Sequence, residues 1–156
     1  MPTNAQLVTR YVKPHNKVSA PVTEKDLPVV IEEAAIMLDL CDTKHGNFPG
    51  AYAIAHPQIN DVTPLRFFVL NDGRIICNPK MVRHTNFELE KEEGCLSFPE
   101  EPRVKVERYN KIQVYFDELK DDAFIRECFL ALSGIEAEVW QHEIDHLNGK
   151  YIYKLN

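Results

Sequence analysis

SGIEAEVWQHEIDHLNG, residues 133 to 149, decides how this chain is read. Ser133 followed three residues later by Glu136 is the pattern of a helix N-terminus in which two side chains cap each other's backbone. Asn148-Gly149 is a stop signal, since glycine accepts the left-handed backbone that ends a helix. Between them fits a helix of about four turns at the usual rise per residue. His142 and His146 stand one turn apart, so both imidazoles leave one face and can converge on one ion. Glu143 lies beside them, where a carboxylate can reach water bound to that ion. Solvated polar helix faces also spell HExxH, so the pattern requires a further ligand before it means anything.

That ligand has to come from upstream. Only LNGKYIYKLN follows His146, and it holds no His, Cys, Asp or Glu. Catalytic sites of the zinc type use three protein ligands and one open position, and one cysteine with two histidines is an established set. EEGCLSFPE offers Cys95 at a strand-to-loop transition, behind an acidic strand and ahead of a proline. Cys41, Cys77 and Cys128 are scattered without CxxC pairing, which indicates neither a zinc ribbon nor a disulfide framework; they read as small buried hydrophobes.

Further out, VTEKDLPVVIEEAAIMLDLCDTKHG reads as one amphipathic helix, with Leu27, Val30, Ile31, Ala34 and Leu38 at helical spacing, Pro28 near its start and His45-Gly46 at its close. A loop of small residues and prolines runs from Asn47 to about Pro64. RFFVL and RIICNP, joined by Asn71-Asp72-Gly73, read as a tight hairpin. FELEKEE, RVKVERY, KIQVYFDE and AFIRECFLA alternate as half-buried antiparallel strands do. The expected fold class is therefore α+β: antiparallel β-sheets packed around a late metal-binding helix, with one early helix, in a single domain over residues 1–156. With 44% hydrophobic and 27% charged residues the chain has the composition of a soluble globular protein, and no apolar run is long enough to span a bilayer. The N-terminus lacks the apolar core of a secretory signal, so a cytoplasmic home is expected. A formal net charge of −6 provides no general field for nucleic acid, although Lys105, Arg108 and Lys111 can form a local patch.

EGCLS at Glu93 to Ser97 and QHEIDHLNG at Gln141 to Gly149 together resemble two of the three signature motifs of the peptide deformylase family, in order and without a change in their key letters. CNPKMV and RVKVERYNKIQVYFDE resemble the strands that precede and connect those motifs. The family's first motif, GxGxAAxQ, is matched imperfectly by AYAIAHPQ: Ala51 and Ala53 replace both glycines, His56 replaces the second alanine, and Gln58 remains. Alanine there alters how closely a peptide backbone can approach. His56 is either a bulky loop residue, the favoured reading, or an extra polar group near the mouth of the site.

The resemblance implies hydrolysis of the formyl group from the N-terminal formylmethionine of new polypeptides, releasing formate. It implies Cys95, His142 and His146 as ligands of one divalent metal ion: ferrous iron (Fe2+) as the native ion in many members, with zinc, nickel or cobalt as alternatives. A thiolate beside ferrous iron predicts oxygen sensitivity. Glu143 becomes the general base and then acid, and the Gln58 side chain and Leu96 backbone N–H become oxyanion donors. The substrate is expected against Tyr52, Ala53, Glu93, Gly94, Arg103, Ile135, Glu138 and Val139, lying extended between the AYAI and EEGC segments. Glu138, one turn before His142, reads as a solvated helix residue or, alternatively, as an edge of the substrate side-chain pocket. Asp145 faces away from the ion by helical phase and suits an ion pair, with Arg108 or through water with Glu93.

Formylmethionyl nascent peptides are thus the expected partners, with a monomer and no membrane or specific nucleic acid. The chain stops at Asn156, so any ribosome contact is expected to be transient and without a C-terminal docking helix. A divergent, for instance phage-encoded, member acting in a host cell's cytoplasm fits the same features as a bacterial one. Two rival readings are a peptidase cutting internal bonds, in which EGCLS has no task, and a catalytically silent relative that binds nascent chains, prompted by Ala51, Ala53 and Glu138.

Overall fold

The FFVL run forms the middle of the molecule because both of its faces are covered. In the computed structural model, which describes residues 12–41, 52–85, 87–95, 97–98 and 101–153, it is strand β2 (Phe67–Leu70). The strand lies between β1 (Ala53–Ala55) and β3 (Ile75–His84) in an antiparallel sheet completed by β6 (Lys111–Lys120) and β7 (Ala123–Ser133), in the order β1-β2-β3-β6-β7. Strands β4 (Phe87–Glu93) and β5 (Val104–Tyr109) pair separately as a two-stranded sheet. Helix α1 (Leu27–Cys41) covers one side of the larger sheet and α2 (Gly134–Leu147) the other. This is the expected α+β arrangement.

Side chains alternate across a strand, so Phe67 and Val69 join α1 while Phe68, between them, joins α2. On the α1 side the buried stripe is Val30, Ala34, Met37 and Cys41, a 3.6-residue period; Ile31 instead stays 37% exposed because it falls on the flank of that stripe. Its expected close at His45-Gly46 lies outside the described residues. On the α2 side Trp140 sits edge-on to Phe68 and Phe116, with ring centroids 5.1 Å and 5.2 Å away. Truncating a buried aromatic of this kind costs about 3–5 kcal/mol. Ala137, Trp140, Ile144 and Leu147 hold α2 on the sheet, which turns the adjacent helix face, with His142, Glu143 and His146, toward the end of β4.

Two local expectations differ from what forms. The segment read as loop contains β1, which pairs Ala53 to Leu70 and Ala55 to Phe68 and is too short and alanine-rich to announce itself. Ser133 does precede α2, yet its hydroxyl makes no capping bond. Gly134, with φ +62°, turns the backbone there and donates its N–H to the Asn110 carbonyl, which swings Ser133 out of reach of the first turn. At the other end Gly149, with φ +75°, closes the helix and lies so near Asn16 that a Cβ would come within 2.4 Å of its carbonyl oxygen.

Candidate metal centre

Cys95 follows β4 by two residues, and the thiol meets α2 where its two histidines emerge. The sulfur and one ring nitrogen each of His142 and His146 all lie within 4.8 Å of one another, and Cys95 Sγ is 3.6 Å from His146 Nε2. Both imidazoles are oriented from behind. His142 Nδ1 is 2.7 Å from Glu93 Oε1, and His146 Nδ1 donates to the Lys150 carbonyl at 3.1 Å, leaving each Nε2 to the cluster. Outer hydrogen bonds of this kind set the tautomer and aim of a ligating histidine. A soft sulfur and two imidazoles suit a divalent ion of the zinc or ferrous iron kind, so the donor set fits the metal that the sequence led us to expect.

The support extends further. Arg108 grips Glu93 through two bonds, Nε to Oε2 at 2.9 Å and Nη2 to Oε1 at 2.8 Å, and reaches Asp145 Oδ2 with Nη1 at 2.7 Å. Gln141 clamps the neighbouring strand by donating to the Tyr109 carbonyl at 2.8 Å and accepting its N–H at 2.9 Å. Burial alone would raise the Glu93 pKa, but the bonds from Arg108 and His142 outweigh it and hold the carboxyl at about 2. Glu93 is only 5% exposed with both oxygens engaged, so it stands behind His142 rather than on a peptide-binding surface. Burial also opposes charge on His142, yet its bonds to Cys95 and Glu93 and the charge of Glu143 lift its pKa to about 10; His146 is pushed well below the usual range, by burial and then by His142. Glu143 is 2% exposed, and burial raises its carboxyl to about 7.

Gln58 approaches from the opposite side on a 3-10 turn, His56–Gln58. Its Oε1 accepts the Ala55 N–H at 2.9 Å, which fixes the amide so that Nε2 points at the centre, 2.9 Å from Ser97 Oγ and 3.7 Å from Cys95 Sγ. His56 has no exposed surface: it stacks on Phe67, accepts the Leu65 N–H at Nδ1 (2.8 Å) and faces Glu33 of α1 with Nε2. It is a buried strut of the turn, not a group at the mouth. Sequence reasoning missed this role, along with Ser97 and Tyr151. The Tyr151 ring lies 4.6 Å from that of His146; the signal for it was Gly149, which folds the chain back over the helix end.

Other expected positions are spread around this cluster. Tyr52 is 71% exposed and Ile135 60% exposed, while Ala53, Glu138 and Val139 are half-buried. Arg103 donates to the Glu92 carbonyl at 2.7 Å, and its side chain passes 3.5 Å from where a Gly94 Cβ would stand. Ala51 and Leu96 lie outside the described residues. Cys41 and Cys77 are buried thiols, each pushed up to about 12 by burial, with no part in the centre.

Two imidazoles and a buried carboxylate on one helix, with a cysteine sulfur from the loop after β4, are an arrangement that mononuclear metallohydrolases use. The sequence model of the polypeptide deformylase family matches residues 8–155, and the chain belongs to that family. Peptide deformylase 2 of Bacillus cereus is 32% identical over 149 residues, 88% of this chain and 78% of its own length. The peptide deformylase of Thermotoga neapolitana is 37% identical over 102 residues, 64% of this chain; the match spans only 58% of that relative. Among solved structures, the deformylase of the Vibrio parahaemolyticus bacteriophage VP16T, in complex with actinonin, superposes with a TM-score of 0.70 at 28% identity, covering 92% of this chain and 99% of its own.

Proposed function

We propose that residues 1–156 act as a single catalytic domain that removes the N-formyl group from the formylmethionine of nascent polypeptides and releases formate. One observation carries this reading: Cys95, His142 and His146 converge with both histidine Nδ1 atoms tied down and Glu143 buried beside them. Cys95, His142 and His146 would hold one divalent ion, ferrous iron by family likeness, which supplies Lewis acidity and a water acidified toward neutrality. Glu143, poised near neutrality by burial, takes a proton from the attacking water at its carboxylate and delivers it to the departing amine. The Gln58 Nε2, its direction set by Ala55, donates to the developing oxyanion together with the Leu96 N–H; one such donor contributes about 3 kcal/mol.

The peptide lies extended along β1, which is an edge of the larger sheet, and passes the end of β4. Tyr52, Ala53, Gly94 and Arg103 flank that path, while Ile135, Glu138 and Val139 precede His142 on the helix and shape the side-chain pocket. Glu93 acts from behind His142. Work on nascent chains sets the protein in the cytoplasm, as a monomer with at most a transient ribosome contact; among the described residues no helix is long and apolar enough to cross a membrane. The test is formate release from a formyl-Met peptide by anaerobically prepared, iron- or nickel-loaded protein, with the acetyl-Met peptide alongside. Turnover of the formyl peptide alone is expected; bound metal without formate release rejects the reading.

A further inference from the structure

The outer face of β3, β6 and β7 carries a pattern that deformylation does not use. Antiparallel register aligns Lys80, Tyr115 and Phe129 in one row across the three strands, Arg83, Gln113 and Ala131 in the next, and Lys111 with Ser133 in the third. Residues opposite one another in such a register share a face. Tyr115 and Phe129 stand side by side, ring centroids 5.2 Å apart, and are 48% and 47% exposed. Beyond them Arg83, Lys111, Gln113 and Ser133 border a cavity of about 440 Å³. The protein is anionic overall, with a formal net charge of −6, yet these rows contain three cations and no carboxylate. Among the described residues no ion pair engages Lys80, Arg83 or Lys111.

We propose that this face binds single-stranded RNA, with bases stacked on Tyr115 and Phe129 and phosphates held by Lys80, Arg83 and Lys111. Exposed aromatic rings on a sheet flanked by cations are a base-stacking platform tolerant of sequence, since every base offers a π-face. Gln113 and Ser133 in the cavity supply amide and hydroxyl groups for a base edge or a 2′-hydroxyl. The choice of RNA over DNA rests on the reading of the chain as an enzyme of nascent polypeptides, which meets RNA where it works; the stacking face itself does not depend on that reading.

The test is fluorescence anisotropy of a labelled twelve-nucleotide oligouridylate with the metal-loaded full chain at 50 and 200 mM salt, beside the deoxy oligonucleotide. Three phosphate contacts on a single strand imply an affinity loss of about twentyfold across that salt range. Tyr115→Ala with Phe129→Ala is expected to weaken binding by about tenfold or more, and Arg83→Ala with Lys111→Ala to flatten the salt dependence. Formate release and melting temperature stay at the parent values in both double variants. RNA binding that ignores the aromatic pair, DNA bound equally well, or a dimer that the aromatic pair alone holds together each overturns the proposal. Formate release reads the deformylase assignment independently, so either can fail without the other.

Discussion

His142 and His146 owe their convergence to one turn of α2, whereas Gln58 reaches the same centre because the short turn that carries it is held from several directions. On the helix side, aim is refined by a chain of buried charge: Asp145 and Glu93 on Arg108, and Glu93 on His142. On the turn side the ties are longer in sequence. His56 is anchored to Glu33 of α1 and to the Leu65 backbone, His15 Nε2 lies 2.8 Å from the Pro57 carbonyl, and Val12 donates to the Gln58 carbonyl at 2.9 Å. A site half written in one helix and half assembled from distant segments should therefore respond differently at its two supports: loss of Arg108 should show in stability and metal, and loss of Gln58 in turnover.

Arg108→Met should do the greatest damage. Removing one partner of a buried charge cluster costs about 3–5 kcal/mol, and freeing a histidine from its outer bond costs about 10–100-fold in metal affinity. Urea unfolding together with metal titration reads both; a loss of turnover with stability and metal unchanged would break the comparison. Gln58→Ala should act the other way, lowering kcat by about 10²–10³ while KM and metal content hold. A KM effect alone would mean that Gln58 only binds substrate.

The smallest effect is a pH dependence on the turn side. His56 accepts an N–H at Nδ1, so it is neutral in the fold, and burial pushes its pKa down despite the opposing pull of Glu33. The unfolded chain therefore binds the proton more readily, and stability is lost as pH falls from the ordinary histidine value of about 6.5 toward the lowered folded one, by up to about 1.4 kcal/mol per pH unit. Denaturation of the parent and His56→Gln at pH 5 and pH 7 checks this: the parent should lose more on acidification, and equal losses remove His56 as the strut.

The same division explains what the sequence could reveal. Hydrophobic period and the two-histidine spacing are local properties, so α2, the strands β6 and β7 and the grouping of Cys95 with the two histidines could be read from letters. Whether Ile31 or Met37 faces the core depends on where β2 lies under α1, and no local pattern specifies that. Ser133 and Glu136 spelled a cap that Gly134 displaced. His56 looked like a foreign residue in a glycine-rich loop because its partner Glu33 lies 23 residues away on another element. Cys95 could be named as a ligand, but its neighbour Ser97 gains meaning only once Gln58 is folded against it.

In the proposed reaction Glu143 is the proton carrier of a metal centre that Cys95, His142 and His146 would hold. Replacing Glu143 by Ala and measuring formate release together with bound metal tests it most directly. Metal stoichiometry should stay at the parent level while kcat falls by about 10²–10⁴. Undiminished formate release with metal in place would contradict the account.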